Sequence, residues 1–146
     1  MKARIFIVLS LLFLFSACEY DIVDSKPGEP INTVSNLKHI ISGQQITLTW
    51  DLPNSYPNDV IKPVSVFIRV TRTSKEKQSA EYPLYSPSAL NAGTFTITND
   101  PKSFIYDQYD PKYTYRFTVK IVGKVNVTSR NFSDTRYSSG AVIEIK

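Results

Sequence analysis

Residues 113–121 read YTYRFTVKI, the longest stretch in which bulky apolar side chains alternate with polar or charged ones. Successive side chains of a β-strand point to opposite faces, so this pattern predicts a strand with one buried and one solvated face. The buried face would hold Tyr115 and Phe117, and the solvated face would hold Arg116 and Lys120.

Shorter alternating runs occur along the rest of the chain, in residues 46–50, 64–71, 95–97 and 141–146. They are rich in β-branched and aromatic residues, which favour strands. Prolines, Pro63 among them, fall between the runs, where they would cost no hydrogen bond of a sheet. No segment after residue 17 keeps a helical period. The chain is therefore predicted to be all-β, a sandwich of about seven antiparallel strands with Greek-key connections.

The composition is that of one folded domain. The chain has 146 residues, of which 42% are hydrophobic and 21% charged, enough to bury a core. Lys2 and Arg4 lie in a segment that we expect to be removed, which would lower the formal net charge from +4 to +2. So small a charge argues against a surface for nucleic acid.

The N-terminus has the features of a secretory signal peptide over residues 1–17. Two basic residues precede the apolar run 5–15, and the small residues Ser16 and Ala17 follow it. The apolar run of about 11 residues is well short of the ~20 that span a bilayer as a helix. We therefore expect cleavage rather than a transmembrane anchor.

The sequence Ser16-Ala17-Cys18 resembles the lipobox of bacterial lipoproteins, although Phe15 stands where an aliphatic residue is common. The resemblance implies cleavage before Cys18, a diacylglycerol on its thiol and usually a further acyl chain on the new amino group. Two or three acyl chains give stable membrane attachment, at ~0.8 kcal/mol per buried CH₂. The alternative is a plain secreted protein with an incidental cysteine. Since Cys18 is the chain's one cysteine, no disulfide within the domain is expected.

Residues 18–33 are interpreted as the lipidated cysteine and a flexible acidic tether, of which the stretch 19–30 reaches at most about 45 Å when extended, and residues 34–146 as the folded domain. The acidic stretch directly after Cys18 resembles the surface-export signal of some gut Gram-negative lipoproteins. That resemblance implies an outer-membrane lipoprotein exposed at the cell surface. The alternative is an ordinary polar linker.

The folded part resembles the fibronectin type III family. Residues 34–37 and 46–53 look like its first two strands, and residues 111–119 are similar to its sixth strand. The resemblance implies that Trp50 lies in the core and that Tyr115 is the residue of a tyrosine corner, with its hydroxyl bonded to upstream backbone. Lys112 stands where that family usually has glycine, and residues 76–92 fit least well.

No group of residues has the pattern of a catalytic or metal site. His39, the chain's one histidine, has no ligand partner at metal spacing, and a surface position is expected. Asp100, Asp107 and Asp110 match no calcium loop, so we interpret them as turn residues. The sequence therefore predicts no enzyme, no cofactor and no metal.

The solvated sides of the long strands offer a candidate binding face. If the inward positions are assigned correctly, Phe67 and Arg69 share an outer face with Arg116, Lys120 and Val142. An aromatic ring among cations suits recognition, whereas a merely solvated sheet face would carry similar residues. The leading hypothesis is a non-catalytic binding or scaffolding module that contacts protein or glycan, for example in a nutrient-uptake assembly. The alternative is a structural or spacer lipoprotein of the envelope without a dedicated ligand.

Overall fold

The alternating runs of the sequence form two packed antiparallel sheets. The computed structural model describes residues 24–25, 28–76, 89–127 and 132–146. Within these ranges the strands are β1 (Asp24–Ser25), β2 (Ser35–Ser42), β3 (Gln45–Asp51), β4 (Val60–Ser74), β5 (Leu90–Ile97), β6 (Ser103–Tyr106), β7 (Tyr113–Val125), β8 (Phe132–Ser133), β9 (Thr135–Tyr137) and β10 (Ala141–Ile145). The predicted all-β sandwich is confirmed, with more strands than the seven expected because β1, β8 and β9 are too short to show a period.

The two sheets differ in size. The larger has the order β10-β7-β4-β5, with β9 also paired to β7, and the smaller has the order β2-β3-β6. All their pairings are antiparallel, whereas β1 and β8 form a separate parallel pair. The chain crosses between the two sheets from β3 to β4, from β5 to β6 and from β6 to β7.

The sandwich has two distinct ends. One end, here called the N-terminal end, is where β2 begins, and the loops 52–59 and 98–102 lie near it. Asp100 of the second loop is hydrogen-bonded to Val64 of β4. At the other, the C-terminal end, β10 finishes and the turn 43–44 bonds the loop 107–112. The long strands β4 and β7 connect the two ends.

The core is built from the inward positions that the alternation predicts. Trp50 is 3% exposed, and its indole N–H donates to the carbonyl oxygen of Pro101 at 2.8 Å, so the ring is fixed as well as buried. The other buried strand residues of the predicted runs are Ile46, Leu48, Val64, Val66, Ile68, Val70, Tyr115, Phe117, Val119, Ile121 and Ile145.

The packed domain includes part of the predicted tether. Ile31 is 2% exposed and belongs to the core cluster, three residues before the expected domain boundary at Val34. In β1, Asp24 lies opposite Phe132 of β8. A single buried apolar residue in a polar segment has no period, so sequence alone gives no sign of this packing.

Pro63 lies inside β4, so the prediction that it falls between strands is wrong. The register of β4 against β7 shifts between Ile61 and Ser65, and Pro63 occupies this irregularity, where a missing N–H is tolerated. The neighbouring backbone is bonded elsewhere: Val64 N–H donates to Asp100 Oδ1 at 2.8 Å, and Asp100 N–H donates to the Val64 carbonyl oxygen at 3.0 Å.

Candidate binding face

The outward side of the larger sheet brings together the residues of the predicted binding face. In the β4–β7 register Phe67 lies opposite Lys120, and Thr71 lies opposite Arg116. Arg69 lies opposite Thr118, which in turn lies opposite Val142 of β10. Since paired residues of neighbouring strands point to the same side, Phe67, Arg69, Arg116, Lys120 and Val142 share one face, here called the outer face.

The alternation of β4 and β7 explains why these side chains point outward. Their neighbours in sequence, such as Ile68 and Val119, are fully buried between the sheets. Arg69, Arg116 and Val142 are exposed, while Phe67 and Lys120 are partly covered by neighbours on the face. The face is therefore accessible over its central strands.

Tyr137 adds a second aromatic ring that the sequence did not reveal. It pairs with Val122 of β7, is 52% exposed and lies with its ring centroid 6.3 Å from that of Phe67 at an interplanar angle of 89°. This edge-to-face arrangement is a favourable aromatic geometry. The strand that carries Tyr137 has three residues, too few for an alternating pattern to be recognised.

The charges of the outer face are mostly positive. The outward strand positions carry Arg69, Arg116, Lys120 and Lys124, and Glu144 is the one carboxylate that the described strands place there. Arg116 Nη1 and Glu144 Oε1 are 3.3 Å apart, with side chains 56% and 48% exposed, so this ion pair is weak. In the described ranges, no carboxylate pairs with Arg69 or Lys120.

Tyr115 has a structural position on the opposite side of β7. Its hydroxyl accepts from the backbone N–H of Asp110 at 2.9 Å and donates to the Gln108 carbonyl oxygen at 3.1 Å. These are the upstream backbone bonds that a tyrosine corner requires. Asp110 Oδ1 accepts from Lys112 N–H at 2.9 Å, which closes the turn where the fibronectin type III family usually has glycine.

A polar cleft lies at the N-terminal end, away from the outer face. Its volume is about 550 Å³, and Asn36, Asp51, Asn54 and Lys102 are among the residues that line it. Asn36 Nδ2 donates to Asp51 Oδ2 at 2.7 Å, so two of the polar groups bond each other. The cleft has no aromatic ring in its lining.

The aspartates interpreted as turn residues have local backbone roles. Asp100 bonds Val64 and Asp110 bonds Lys112, while Asp107 is exposed in the loop between β6 and β7. His39 is exposed on β2. The part of the chain that the structure describes contains no group of three or more His, Cys, Asp or Glu residues placed to hold a metal. It also contains no helix with the length and apolarity needed to cross a membrane.

Two tyrosines, the buried Tyr106 and the partly buried Tyr56, have shifted ionisation. Burial, and then the Asp100 carboxylate, raises the pKa of Tyr56 above its ordinary value of 10.0. Burial, and then the neighbouring Tyr115, likewise raises the pKa of Tyr106. Both groups lie away from the outer face, so these shifts concern the core rather than recognition.

Comparison with known proteins gives one family. The model of a family described as a domain of unknown function (DUF4945) matches residues 18–145. No curated protein matches the chain. The predicted signal peptide and Cys18 lie outside the residues that the structure describes.

Proposed function

This chain belongs to the DUF4945 family, and from that premise we propose that it is a lipid-anchored, non-catalytic binding module of the bacterial cell surface. The family match begins at Cys18, the residue at which the cleaved chain is predicted to begin. A family boundary at this position is expected if the preceding segment is a signal peptide, because such a segment needs an apolar character rather than a particular sequence. The lipid anchor and the outer-membrane location are proposed from the sequence features of the N-terminus, with which this boundary agrees.

The observation that carries the binding role is the outer face. Phe67 and Tyr137 form an accessible ring pair, and Arg69 and Lys120 flank it without a carboxylate partner in the described ranges. Aromatic residues and arginine are the side chains most enriched where binding energy concentrates. A merely solvated face would be expected to pair its charges across strands, as Arg116 and Glu144 do.

The ring geometry favours a protein partner over a glycan. Phe67 and Tyr137 stand at 89° to each other, so they do not form a common flat platform on which consecutive sugar rings could stack. An apolar side chain of a protein can instead contact the face of one ring and the edge of the other. Carboxylates around that side chain would complement Arg69 and Lys120.

The fibronectin type III resemblance is part of the same proposal. It is supported by the Tyr115 hydroxyl bonds, by the buried Trp50 and by the arrangement of two antiparallel sheets. Many unrelated functions share such sandwiches, so the fold alone does not assign the partner. The binding role depends on the outer face.

Two measurements in the producing bacterium test the proposal. Metabolic labelling with palmitate, followed by cell fractionation, should place label on the wild-type chain in the outer membrane and none on Cys18→Ser. A photo-cross-linking residue at Val142 should give a discrete protein adduct, and the same residue at Thr47, on the outside of the smaller sheet, should not. Unlabelled wild-type chain would refute the anchor. Equal adducts at both positions, or none, would favour the spacer role instead.

A further inference from the structure

An ion pair between a buried arginine and a partly buried aspartate holds the N-terminal end of the domain together. Arg136 Nη1 and Nη2 lie 3.0 and 2.8 Å from Asp59 Oδ1 and Oδ2, a two-pronged pairing of guanidinium and carboxylate. The Arg136 side chain is 8% exposed and that of Asp59 31% exposed. Charge-assisted pairs with this fork geometry are strong and orientation-specific.

The same guanidinium holds the chain that leads into the domain. Arg136 Nη1 also donates to the carbonyl oxygen of Glu29 at 3.1 Å. A Cβ built at Gly28 would collide with Arg136 Nη2, so the backbone lies directly against the guanidinium there. We call Gly28, Glu29, Asp59 and Arg136 the N-terminal clamp.

The residues that precede and follow Gly28 and Glu29 in the chain are also attached to the domain. After it, Ile31 and Val34 are buried in the core. Before it, Asp24 and Ser25 pair in parallel with Phe132 and Ser133. These contacts fix the position of the N-terminal segment on the surface of the domain.

This attachment shortens the distance between Cys18 and the fold. A free segment from Cys18 to the predicted boundary at Val34 would reach about 55 Å, but the chain from Cys18 to Asp24 reaches at most about 20 Å when fully extended. The clamp lies at the N-terminal end, beside the loop 52–59. The 15 residues of β4 put the C-terminal end about 45 Å further away.

We propose that the lipid headgroup surface is the partner of the N-terminal end, so that the domain stands upright on the membrane with its outer face directed sideways. This inference rests on the lipid anchor at Cys18. Exposed charges of both signs lie at this end, including Asp51, Lys102 and Asp134, so the short attachment rather than charge attraction sets the orientation. Orientation should therefore be the same on neutral and on anionic bilayers.

The test uses the full lipidated chain in vesicles of phosphatidylethanolamine and phosphatidylglycerol that contain a headgroup-bound quencher. Because acylation occupies the Cys18 thiol, a dye can be placed on Asn54→Cys at the N-terminal end or on Lys112→Cys at the C-terminal end. Quenching should be severalfold stronger at position 54 than at position 112. The same ratio is expected in vesicles of phosphatidylcholine.

A variant of the clamp tests whether the attachment causes the orientation. Gly28→Val introduces a side chain where Arg136 lies, so it should release the segment and lower the ratio of quenching toward one. Asn32→Val, an exposed position of the same segment, should leave the ratio unchanged. Circular dichroism of both variants verifies that the sandwich remains folded.

The outcomes separate the two proposals. A chain that never binds vesicles would overturn the lipid anchor and this inference with it. Bound chain with equal quenching at positions 54 and 112 would overturn the inference alone. An unchanged ratio in folded Gly28→Val would also overturn it, because the clamp would then have no part in the orientation.

Discussion

The hydroxyl of Tyr115 bonds back to the backbone N–H of Asp110, 2.9 Å away, and so ties the start of β7 to the loop that precedes it. The same hydroxyl donates to the Gln108 carbonyl oxygen, which makes one buried oxygen the junction of two backbone groups. Tyr115→Phe keeps the ring and removes both bonds. It should cost about 1–3 kcal/mol of unfolding free energy, since backbone groups lose their partner.

Urea denaturation of Tyr115→Phe and Tyr113→Phe measures that cost against a control. Tyr113 lies half-exposed at the start of the same strand, and removal of its hydroxyl should lower the free energy of unfolding by less than about 0.5 kcal/mol. Equal losses in the two variants would show that the hydroxyl bonds of Tyr115 contribute nothing specific.

Tyr106→Phe should behave in the opposite way. Its ring lies 5.8 Å from that of Tyr115, but its buried hydroxyl has no hydrogen-bond partner among the residues that the structure describes. Removing an unsatisfied buried polar group is expected to leave stability unchanged or to raise it. Thermal unfolding of Tyr106→Phe beside Tyr115→Phe checks the sign, and a loss near that of Tyr115→Phe would contradict the assignment.

The raised pKa values of Tyr56 and Tyr106 predict a loss of stability in alkali. In the unfolded chain both phenols would ionise near 10.0, whereas in the fold they stay neutral to higher pH. The stabilisation is complete below pH 10 and declines as the pH rises through the folded pKa values. Urea melts between pH 8 and 11, in steps of about one unit, should show this decline, and the double variant Tyr56→Phe/Tyr106→Phe should weaken it.

Trp50→Ala should cost about 3–5 kcal/mol, because it removes a large ring that is packed between the sheets. The exposed neighbour Thr49→Ala should change stability by no more than about 0.5 kcal/mol. Guanidinium denaturation followed by circular dichroism compares them without relying on the Trp50 signal. A cost below about 1 kcal/mol at Trp50 would mean that neighbouring side chains fill the cavity left by the ring, so that the free energy of unfolding hardly changes.

Two ion pairs among the described residues should differ in strength. Asp59→Ala removes the carboxylate that accepts from both Nη atoms of the largely buried Arg136 side chain and should cost about 3 kcal/mol. Glu144→Ala breaks a pair whose members are about half exposed, and should cost less than about 1 kcal/mol. Differential scanning calorimetry at two salt concentrations decides this, and equal costs would mean that the buried pair is screened like the exposed one.

The sequence predicted those parts of the fold in which neighbouring residues repeat a pattern. The alternation around Tyr115 and Trp50 predicted both the strands and their buried sides. The same rule, that every second side chain points outward, placed Phe67 and Lys120 on one face. The positions of Ile31 and Tyr137 were not predicted, because the residues around them carry no period and only contacts between distant segments determine where they lie. Pro63 was misplaced for a different reason: it directly precedes the alternating run 64–71, and the irregularity that admits it into β4 is not visible in that alternation.

The bond from Arg136 to Glu29 joins residues 107 positions apart, so the two partners are synthesised at different times. Chains emerge from the N-terminus, so the segment around Glu29 must wait for nearly the whole domain before its partner exists. Contacts of such long range form late, because closing the loop costs entropy before the contact is gained. We therefore expect any enzyme that acts near residue 18 during synthesis to meet a segment that has not yet packed against the sandwich.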